Sequence, residues 1–253
     1  MAFDEQAAID SFWRARERGE YFPREWFDKL TLDDAYRVQF GMIARRVAAG
    51  ERQIGWKVGL TAPAIQQQFG FHEPVFGCIL DSKPSGHVFR PADLIRPGFE
   101  SELCLRASQR LSGEISMATA RQGIDVVYPS LEIIETRGDF TAQIALAMAD
   151  NAQQKTVILG NPVPLGERAL NEVMATVQIN GNTVATGGGD AVLGNPLNSA
   201  IWLARKLAQF GRCIEPGEII MSGSFTRQFP IEPGDRVHVD FAGIGDVRTE
   251  MTR

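Results

Sequence analysis

The sequence predicts an α+β protein in which a small helical N-terminal part, residues 1–54, precedes a β-rich body, residues 55–253. Two observations carry this prediction. The first 50 residues have mainly helical periodicity, whereas from Gly55 onward short apolar segments alternate with Gly and Pro, which is typical of strands and turns. We expect the two parts to form one functional unit.

The helical part contains one clear start signal and one clear stop. Residues 31–34 resemble a capping box with Asp in place of the usual Glu, and Gly50 is placed to end the helix that follows. One face of this predicted helix carries Ala35, Val38, Met42 and Ala49.

The body contains several predicted strands and one helix. Strands are expected at 100–105, 125–128, 131–134, 176–179, 183–185, 219–222 and 237–241. Asn180-Gly181 is a strong hairpin signal, and the Glu-Pro-Gly-acid turns at 215–218 and 232–235 each lead into a strand. The helix spans about Asn198 to Phe210, and its apolar stripe predicts core packing.

Composition excludes several classes of protein. The chain has 253 residues and a net charge of −5, without a basic run, which argues against a general nucleic-acid or acidic-membrane binder. Its first residues are acidic where a signal peptide would be basic, and no stretch approaches the roughly 18 apolar residues of a membrane span. Its 3 cysteines are far apart, so neither a zinc site nor a disulfide framework is indicated. We therefore expect a reduced, cytoplasmic protein.

The strongest chemical signal is a pair of acids two residues apart in an apolar strand. Glu100 and Glu102 point to the same face because side chains alternate along a strand. Two buried carboxylates repel each other unless a cation lies between them, and Glu132, in an apolar segment, would complete an oxygen site for Mg²⁺ or Mn²⁺. The alternative is a solvated strand face with one unrelated surface acid. Cys104 continues the same face, either lining the site or, as free cysteines usually do, packing in the core.

Two further residues are candidates for proton transfer. Lys57 lies between Trp56 and Val58 with glycines on either side, so it is either a buried catalytic lysine or one whose stem packs while its ammonium reaches solvent. Asp81 ends an apolar run, where an acid either caps a turn or acts as a general base beside the site.

Other signals exclude common chemistries. The residues 187–190, Gly-Gly-Gly-Asp, lack the pattern of a phosphate-binding loop and predict a tight loop that approaches a substrate. Ser224 is not in a Gly-x-Ser-x-Gly elbow, and the 3 histidines form no triad pattern. Ser224 and Thr226 are either donors to a substrate carboxylate or ordinary turn residues.

Seven short segments in this order resemble one family, over about residues 30 to 250. The family comprises the 2-hydroxypenta-2,4-dienoate (2-keto-4-pentenoate) hydratases and the related 4-oxalocrotonate decarboxylases, within the fumarylacetoacetate hydrolase superfamily. The segments that carry the resemblance are 55–61, 76–81, 99–102, 129–132, 149–152, 192–197 and 222–226.

The resemblance implies a fold and a site. The fold would be a fumarylacetoacetate hydrolase-like mixed β-roll body with a small helical N-terminal part. Mg²⁺ or Mn²⁺ would lie on Glu100, Glu102 and Glu132, and Lys57 and Asp81 would match the family's active-site lysine and its acid/base. Members are homo-oligomers of the meta-cleavage pathway of aromatic catabolism, so a homo-oligomer is expected, with a related pathway enzyme as a possible partner.

The expected substrate contacts are Leu60, Ser224, Thr226 and Arg227. Arg227 is interpreted either as the partner of a distal carboxylate or as an exposed turn residue. Residues 153–155, Gln-Gln-Lys, depart from the small residues that the family usually has there, which implies a longer or more polar substrate if that loop lies near the pocket.

The reaction that the resemblance implies is hydration of a 2-hydroxy-2,4-dienoate to a 4-hydroxy-2-oxo acid. A 4-oxalocrotonate-type decarboxylase is the main alternative. A fumarylacetoacetate-type C–C hydrolase and a non-catalytic partner subunit are further alternatives; the intact set of three glutamates argues against the latter.

Overall fold

The computed structural model describes residues 3–62, 66–67, 70 and 72–253, which form an α+β fold as predicted. Its helices are α1 Glu5–Glu17, α2 Leu32–Ala48, α3 Met117–Gly123, α4 Ile144–Ala149 and α5 Leu197–Ala208. None of the helices in the described part of the chain is long and apolar enough to cross a membrane.

The strands are longer and more numerous than the sequence predicts. In the first half they are β1 Gly55–Gly59, β2 Val75–Ile79, β3 Ser82–Pro84, β4 His87–Phe89, β5 Pro97–Ala107, β6 Ile124–Glu135 and β7 Gln154–Leu159. In the second half they are β8 Val163–Pro164, β9 Met174–Ile179, β10 Asn182–Gly188, β11 Ile219–Ser224, β12 Phe229–Pro230, β13 Arg236–Phe241 and β14 Gly245–Met251.

Among the described residues, the strands form two mixed sheets. The larger has nine strands and the order β2-β1-β11-β5-β6-β7-β3, with β12 on β5 and β8 on β6. The smaller has five strands in the order β10-β9-β13-β14-β4. The pairs β1–β11, β3–β7 and β14–β4 are parallel and the others are antiparallel.

Local signals account for the element ends. The capping box at α2 is confirmed, since Thr31 accepts from the Asp34 N–H and Asp34 reaches back to Thr31. Asn180 and Gly181 both have positive φ, as a tight hairpin between β9 and β10 requires. The face of α2 is buried as expected except for Ala49, which is exposed beyond the last helical residue.

One predicted interruption is wrong. The segments 125–128 and 131–134 belong to a single strand, β6, which continues through Pro129. Pro129 lacks an N–H, but it pairs with Leu103 of β5, and its carbonyl accepts from the Gly160 N–H at 2.8 Å.

The helical part packs directly on the larger sheet. Tyr36 of α2 stacks on Phe76 of β2 with ring centroids 4.0 Å apart, and the buried Gln39 amide donates to the carbonyls of Phe76 and Met148. The hydrophobic core includes residues of both parts. The division at residue 54 stays a prediction.

Candidate metal centre and substrate cavity

Three glutamates meet on one face of adjacent strands, as the sequence predicts. Glu100 of β5 lies directly opposite Glu132 of β6, and Glu102 lies two residues further along β5, opposite Ser130. One carboxylate oxygen from each glutamate lies within 4.8 Å of those of the other two. Glu102 and Glu132 are fully buried and Glu100 is partly exposed, which excludes a solvated strand face.

Three carboxylate oxygens of this cluster are buried without a hydrogen bond from the described residues. Among the described residues, Glu102 Oε1 and both oxygens of Glu132 have no hydrogen-bond partner, although buried polar atoms almost always have one. Glu102 Oε2 accepts from the Gly223 N–H at 2.8 Å, and the Lys57 ammonium lies 3.4 Å from Glu132 Oε1 as an ion pair. Three carboxylates and one ammonium sum to a charge of −2 when all are ionised. Their oxygens and their charge fit a hard divalent cation such as Mg²⁺ or Mn²⁺.

Lys57 is buried, with 5% of its surface exposed, and this settles the alternatives in favour of a buried lysine. It lies on β1 between β2 and β11, opposite Gly77. A Cβ added to Gly77 or Gly59 would lie 3.4 Å from Lys57 atoms, which is ordinary van der Waals contact. Of the two glycines that flank Lys57 in the sequence, Gly55 has the steric explanation, since a Cβ there would lie 2.0 Å from the Ile219 carbonyl oxygen.

Burial sets the protonation of the cluster. It raises the pKa of Glu102 well above its usual value, with further increases from Glu132 and Glu100, and it raises the pKa of Glu132 to about 7. Burial also raises the pKa of Glu100, against the effect of Lys57. For Lys57 itself, burial lowers the pKa, but the three glutamates outweigh burial and leave that pKa above its usual value. Lys57 therefore remains an ammonium, and protons compete with a cation for the carboxylates.

A bulge in β11 positions Glu102. The register of β11 on β5 shifts between Met221 and Ser224, and Gly223 within the bulge has φ 114°. A Cβ on Gly223 would lie 2.5 Å from the Thr61 side chain, so glycine is required where the backbone N–H turns toward Glu102. Sequence analysis missed Gly223, and no local signal distinguishes it from an ordinary turn glycine.

A cavity of about 710 Å³ opens beside this cluster. The first cavity, as we call it, is lined by Lys57 and Glu100 and by every predicted substrate contact, Leu60, Ser224, Thr226 and Arg227. Leu60 has φ 54°, a conformation that L-residues rarely adopt and that is frequent at functional sites. Ser101 fixes the rim, because its hydroxyl lies 3.0 Å from the Thr226 hydroxyl and its carbonyl accepts from Ser224.

The first cavity also contains a residue that sequence analysis did not select, Arg96. Arg96 and Arg227 are both exposed, and neither guanidinium forms an ion pair with a described residue. Arg227 lies 4.0 Å above the ring of Phe229. Two cations without acidic partners are therefore available to a ligand in this cavity.

A left-handed turn forms part of the cavity wall. Asn151, Ala152 and Gln153 have φ of 57°, 49° and 59°, and Ala152 and Gln153 line the first cavity. The Asn151 side chain holds the turn by bonding both the N–H and the carbonyl of Cys78, at 2.7 and 2.8 Å. Of the unusual residues 153–155, Gln153 lines the first cavity, whereas Gln154 and Lys155 do not.

Asp81 does not line the first cavity. It lines a second cavity of about 360 Å³, which is also lined by Arg16, Arg46, Arg137, Gln154 and Lys155. Its carboxylate accepts from the Thr156 hydroxyl at 2.8 Å and from Lys83 at 3.2 Å. The structure does not bring Asp81 into the first cavity with Lys57, and its acid/base role stays a prediction.

Cys104 and the glycine loop at 187–190, two further candidates for the site, both pack away from the first cavity. Cys104 is fully buried in a small apolar cluster with Ile79, Val157 and Met221, which is the core alternative. The loop at 187–190 does not line the first cavity, and a Cβ on Gly187 would lie 1.9 Å from the Phe225 carbonyl. The glycine there permits close packing against the segment that carries Thr226.

The cluster of three carboxylates beside a large cavity is chemically suited to an enzyme that uses a divalent cation on a small molecule. The chain belongs to the fumarylacetoacetate hydrolase family, since residues 76–252 match the model described as "Fumarylacetoacetate (FAA) hydrolase C-terminal". This membership confirms the resemblance and the predicted fold.

Individual relatives are similar over nearly the whole chain. The 2-keto-4-pentenoate hydratase of Paraburkholderia xenovorans strain LB400 is 33% identical, covering 97% of this chain and 94% of the relative. The 2-oxo-hept-4-ene-1,7-dioate hydratase of Escherichia coli is 33% identical, covering 87% of each chain. The structure of 4-oxalocrotonate decarboxylase from Pseudomonas putida G7, complexed with magnesium and adipate, matches with a TM-score of 0.91 and 31% identity, over 98% of this chain and 97% of that one.

Proposed function

We propose that the protein is a hydratase that adds water to a 2-hydroxy-2,4-dienoate, equivalently its 2-oxo-enoate tautomer, to give a 4-hydroxy-2-oxo acid in aromatic meta-cleavage catabolism. One observation carries the proposal: buried glutamate oxygens without partners lie beside an ammonium at the wall of a large cavity. The similarity to two hydratases over most of the chain supports the same reaction.

Glu100, Glu102 and Glu132 would hold Mg²⁺ or Mn²⁺. When bound, the cation would supply a Lewis acid for the substrate's C1 carboxylate and C2 oxygen. The Gly223 N–H fixes Glu102, and the pairing of β5 with β6 fixes the distance between Glu100 and Glu132.

Lys57 is the residue best placed for proton handling. Its ammonium lies at the cavity wall next to Glu132, with a pKa that the three glutamates keep high. As a donor it would either hold the C1 carboxylate or assist the proton transfers that accompany protonation at C5 and addition of water at C4. Ser224 and Thr226 would contribute hydroxyl donors and Leu60 an apolar contact.

The substrate would carry a second carboxylate. Arg96 and Arg227 line the same cavity without acidic partners, and a guanidinium is the usual partner of a carboxylate. The volume of about 710 Å³ leaves room for a chain longer than five carbons. A seven-carbon dicarboxylate in the name of one relative and adipate in the structure of another agree with this length.

Decarboxylation of a 4-oxalocrotonate-type 2-oxo acid is the second candidate. The TM-score of 0.91 with a 4-oxalocrotonate decarboxylase favours it. Both reactions would use the same cation site and both arginines, and they differ in whether water is added or CO₂ is lost.

The proposal extends to the oligomeric state and the cellular location of the protein. We expect a homo-oligomer in the cytoplasm, with a related pathway enzyme as a possible partner. Three free cysteines, two of them buried, support a reducing compartment.

The test is a substrate panel followed by ultraviolet absorbance. The panel contains 2-hydroxypenta-2,4-dienoate, 2-hydroxyhepta-2,4-diene-1,7-dioate and 4-oxalocrotonate, each measured with Mg²⁺, with Mn²⁺ and with EDTA, and the products are identified by NMR. Metal-dependent formation of a 4-hydroxy-2-oxo acid, faster with the dicarboxylic dienoate, is the expected result. Release of CO₂ from 4-oxalocrotonate without hydration of either dienoate would instead establish the decarboxylase.

A further inference from the structure

The second cavity is rich in charge, and most of that charge is compensated. Arg46 forms two bonds with Glu51, at 2.9 and 2.6 Å. Arg137 bonds Asp150 and Glu135, at 2.5 and 3.0 Å. Each of these two arginines therefore has acidic partners of its own.

Lys155, which lines this cavity, and Lys83, which pairs with a residue that lines it, also have acidic partners. Lys155 lies 3.2 Å from Glu135, and Lys83 lies 3.1 Å from Asp81. Counting these four basic residues with Glu51, Asp81, Glu135 and Asp150 gives four positive and four negative charges. The group is neutral before Arg16 is included.

Arg16 is the exception. It is half-buried on α1 and lines the second cavity, yet its guanidinium forms no hydrogen bond or ion pair with a described residue. Burial lowers its pKa, with further decreases from Arg46 and Arg137, against Asp150 and Tyr21. Arg16 is a cation partly out of water beside a neutral group of charges, and no acidic residue forms an ion pair with it in the described part of the chain.

A second residue that lines this cavity, Gln154, has a polar atom without a partner. Gln154 is 3% exposed and lines the second cavity, and its Nε2 has no partner among the described residues. Buried amide groups are normally hydrogen-bonded, so this amide is a second, independent sign of a missing acceptor.

We propose that the second cavity binds a small oxyanion, either a carboxylate or a phosphate, with Arg16 as its charged contact and Gln154 as a neutral donor. A single negative charge would compensate Arg16, and oxygen acceptors would satisfy both groups. The volume of about 360 Å³ admits a small carboxylate or inorganic phosphate. This site is separate from the proposed metal centre and does not depend on the proposed function.

The test compares three forms of the Mg²⁺-loaded protein: wild type, Arg16→Gln and Arg14→Gln. Arg14 is the matched control because it lies on the same helix but is exposed and does not line the cavity. Each form is titrated calorimetrically with sodium phosphate and with sodium acetate at constant ionic strength in chloride, and Tm is recorded at each concentration. Saturation by phosphate alone would identify a phosphate site, and saturation by acetate a carboxylate site.

We expect saturable binding to wild type and to Arg14→Gln, with a rise in Tm, and affinity at least about 10-fold weaker in Arg16→Gln, as for loss of a charged hydrogen bond. Oxyanion binding in the first cavity would be the same in all three forms and cannot produce this difference. In chloride alone, Arg16→Gln should be at least as stable as wild type, because it removes an uncompensated charge. Equal affinities in all three forms, or no saturation of wild type below about 10 mM of either anion, would overturn the proposal.

Discussion

The two cavities lie on opposite sides of one wall and handle charge differently. Along the end of β6 and beyond it, Ile134 and Thr136 line the first cavity, whereas Glu135 and Arg137 line the second. The glutamates at the first cavity exceed the single ammonium beside them and leave oxygens without partners. Around the second cavity, acids and bases pair almost completely.

This difference separates a site that requires a ligand from a network that is mainly structural. Buried charges without partners destabilise a fold, so their presence indicates that something else compensates them when the protein works. A paired network of similar charge density needs no such compensation, apart from Arg16. The number of charged residues at a cavity is therefore less informative than the balance among them.

The largest effect is expected from neutralising one of the three glutamates at the first cavity. Glu102→Gln should lower activity by more than about 10²-fold, the upper effect of losing an outer-shell partner of a metal ligand. The same change should leave the stability of the metal-free protein near neutral pH within about 1 kcal/mol of wild type, because burial raises the pKa of Glu102 and keeps its carboxyl protonated there. Turnover, Mg²⁺ calorimetry and urea unfolding in EDTA measure the activity, the metal affinity and the stability of the variant.

The control for that change is Glu250→Gln, which neutralises an exposed acid on β14. It should leave turnover, metal affinity and stability within error of wild type. If Glu102→Gln bound Mg²⁺ with wild-type affinity, Glu102 would not be a ligand of the cation.

A second comparison uses Lys57 of the first cavity and Lys83, which pairs with Asp81 at the second cavity. Lys57→Ala should lower kcat by at least about 10²-fold, the lower end for groups that transfer protons, while Mg²⁺ still binds. Lys83→Ala removes a half-exposed lysine that pairs with Asp81, and it should leave kcat nearly unchanged. Near-normal turnover of Lys57→Ala would exclude Lys57 from the mechanism.

The pH dependence of metal affinity is the next largest effect. Burial raises the pKa of Glu102 and brings that of Glu132 to about 7, so both carboxyls hold protons that a cation must displace. Mg²⁺ should bind more tightly as pH rises from 6 to 8. While the pH is below the carboxyl pKa, the Mg²⁺ affinity should rise roughly 10-fold per pH unit for each proton that the cation displaces.

Without metal, stability should change in the opposite direction. A carboxyl whose pKa is higher in the folded state binds more protons there than in the unfolded chain, so stability falls as pH rises above about 4.3 and through the folded pKa. Calorimetry and Tm in EDTA at pH 6, 7 and 8 check both trends. A metal affinity that does not vary with pH would contradict the raised pKa values.

Local rules predicted much of this molecule. Strand alternation placed Glu100 and Glu102 on one face, and capping and turn residues located the start of α2 and the β9–β10 hairpin. The order of short motifs identified the family, which the comparisons confirm. These inferences needed only neighbours in sequence or a known pattern.

Features that depend on distant segments were not predictable in the same way. Glu100 lies opposite Glu132 because β5 pairs with β6, and β6 also continues through Pro129, where the sequence suggested a break. The left-handed turn at Asn151–Gln153 is held by the backbone of Cys78, more than 70 residues away in sequence. Arg96 and Arg16 acquire their significance only from the cavities that other segments build around them.

Asp81 is where sequence and structure lead to different expectations, and Asp81→Asn distinguishes them. Its position predicts a change in kcat of less than about 5-fold, since acid–base groups contribute about 10² to 10⁴ and must reach the substrate, whereas Asp81 bonds Thr156 and Lys83 at the second cavity. The family resemblance predicts a loss of at least about 10²-fold for an acid/base. Steady-state kinetics of Asp81→Asn beside Lys83→Ala decides the matter, because a loss specific to Asp81→Asn cannot come from breaking their ion pair. Such a loss would mean that the wall between the cavities moves during turnover and brings Asp81 to the substrate.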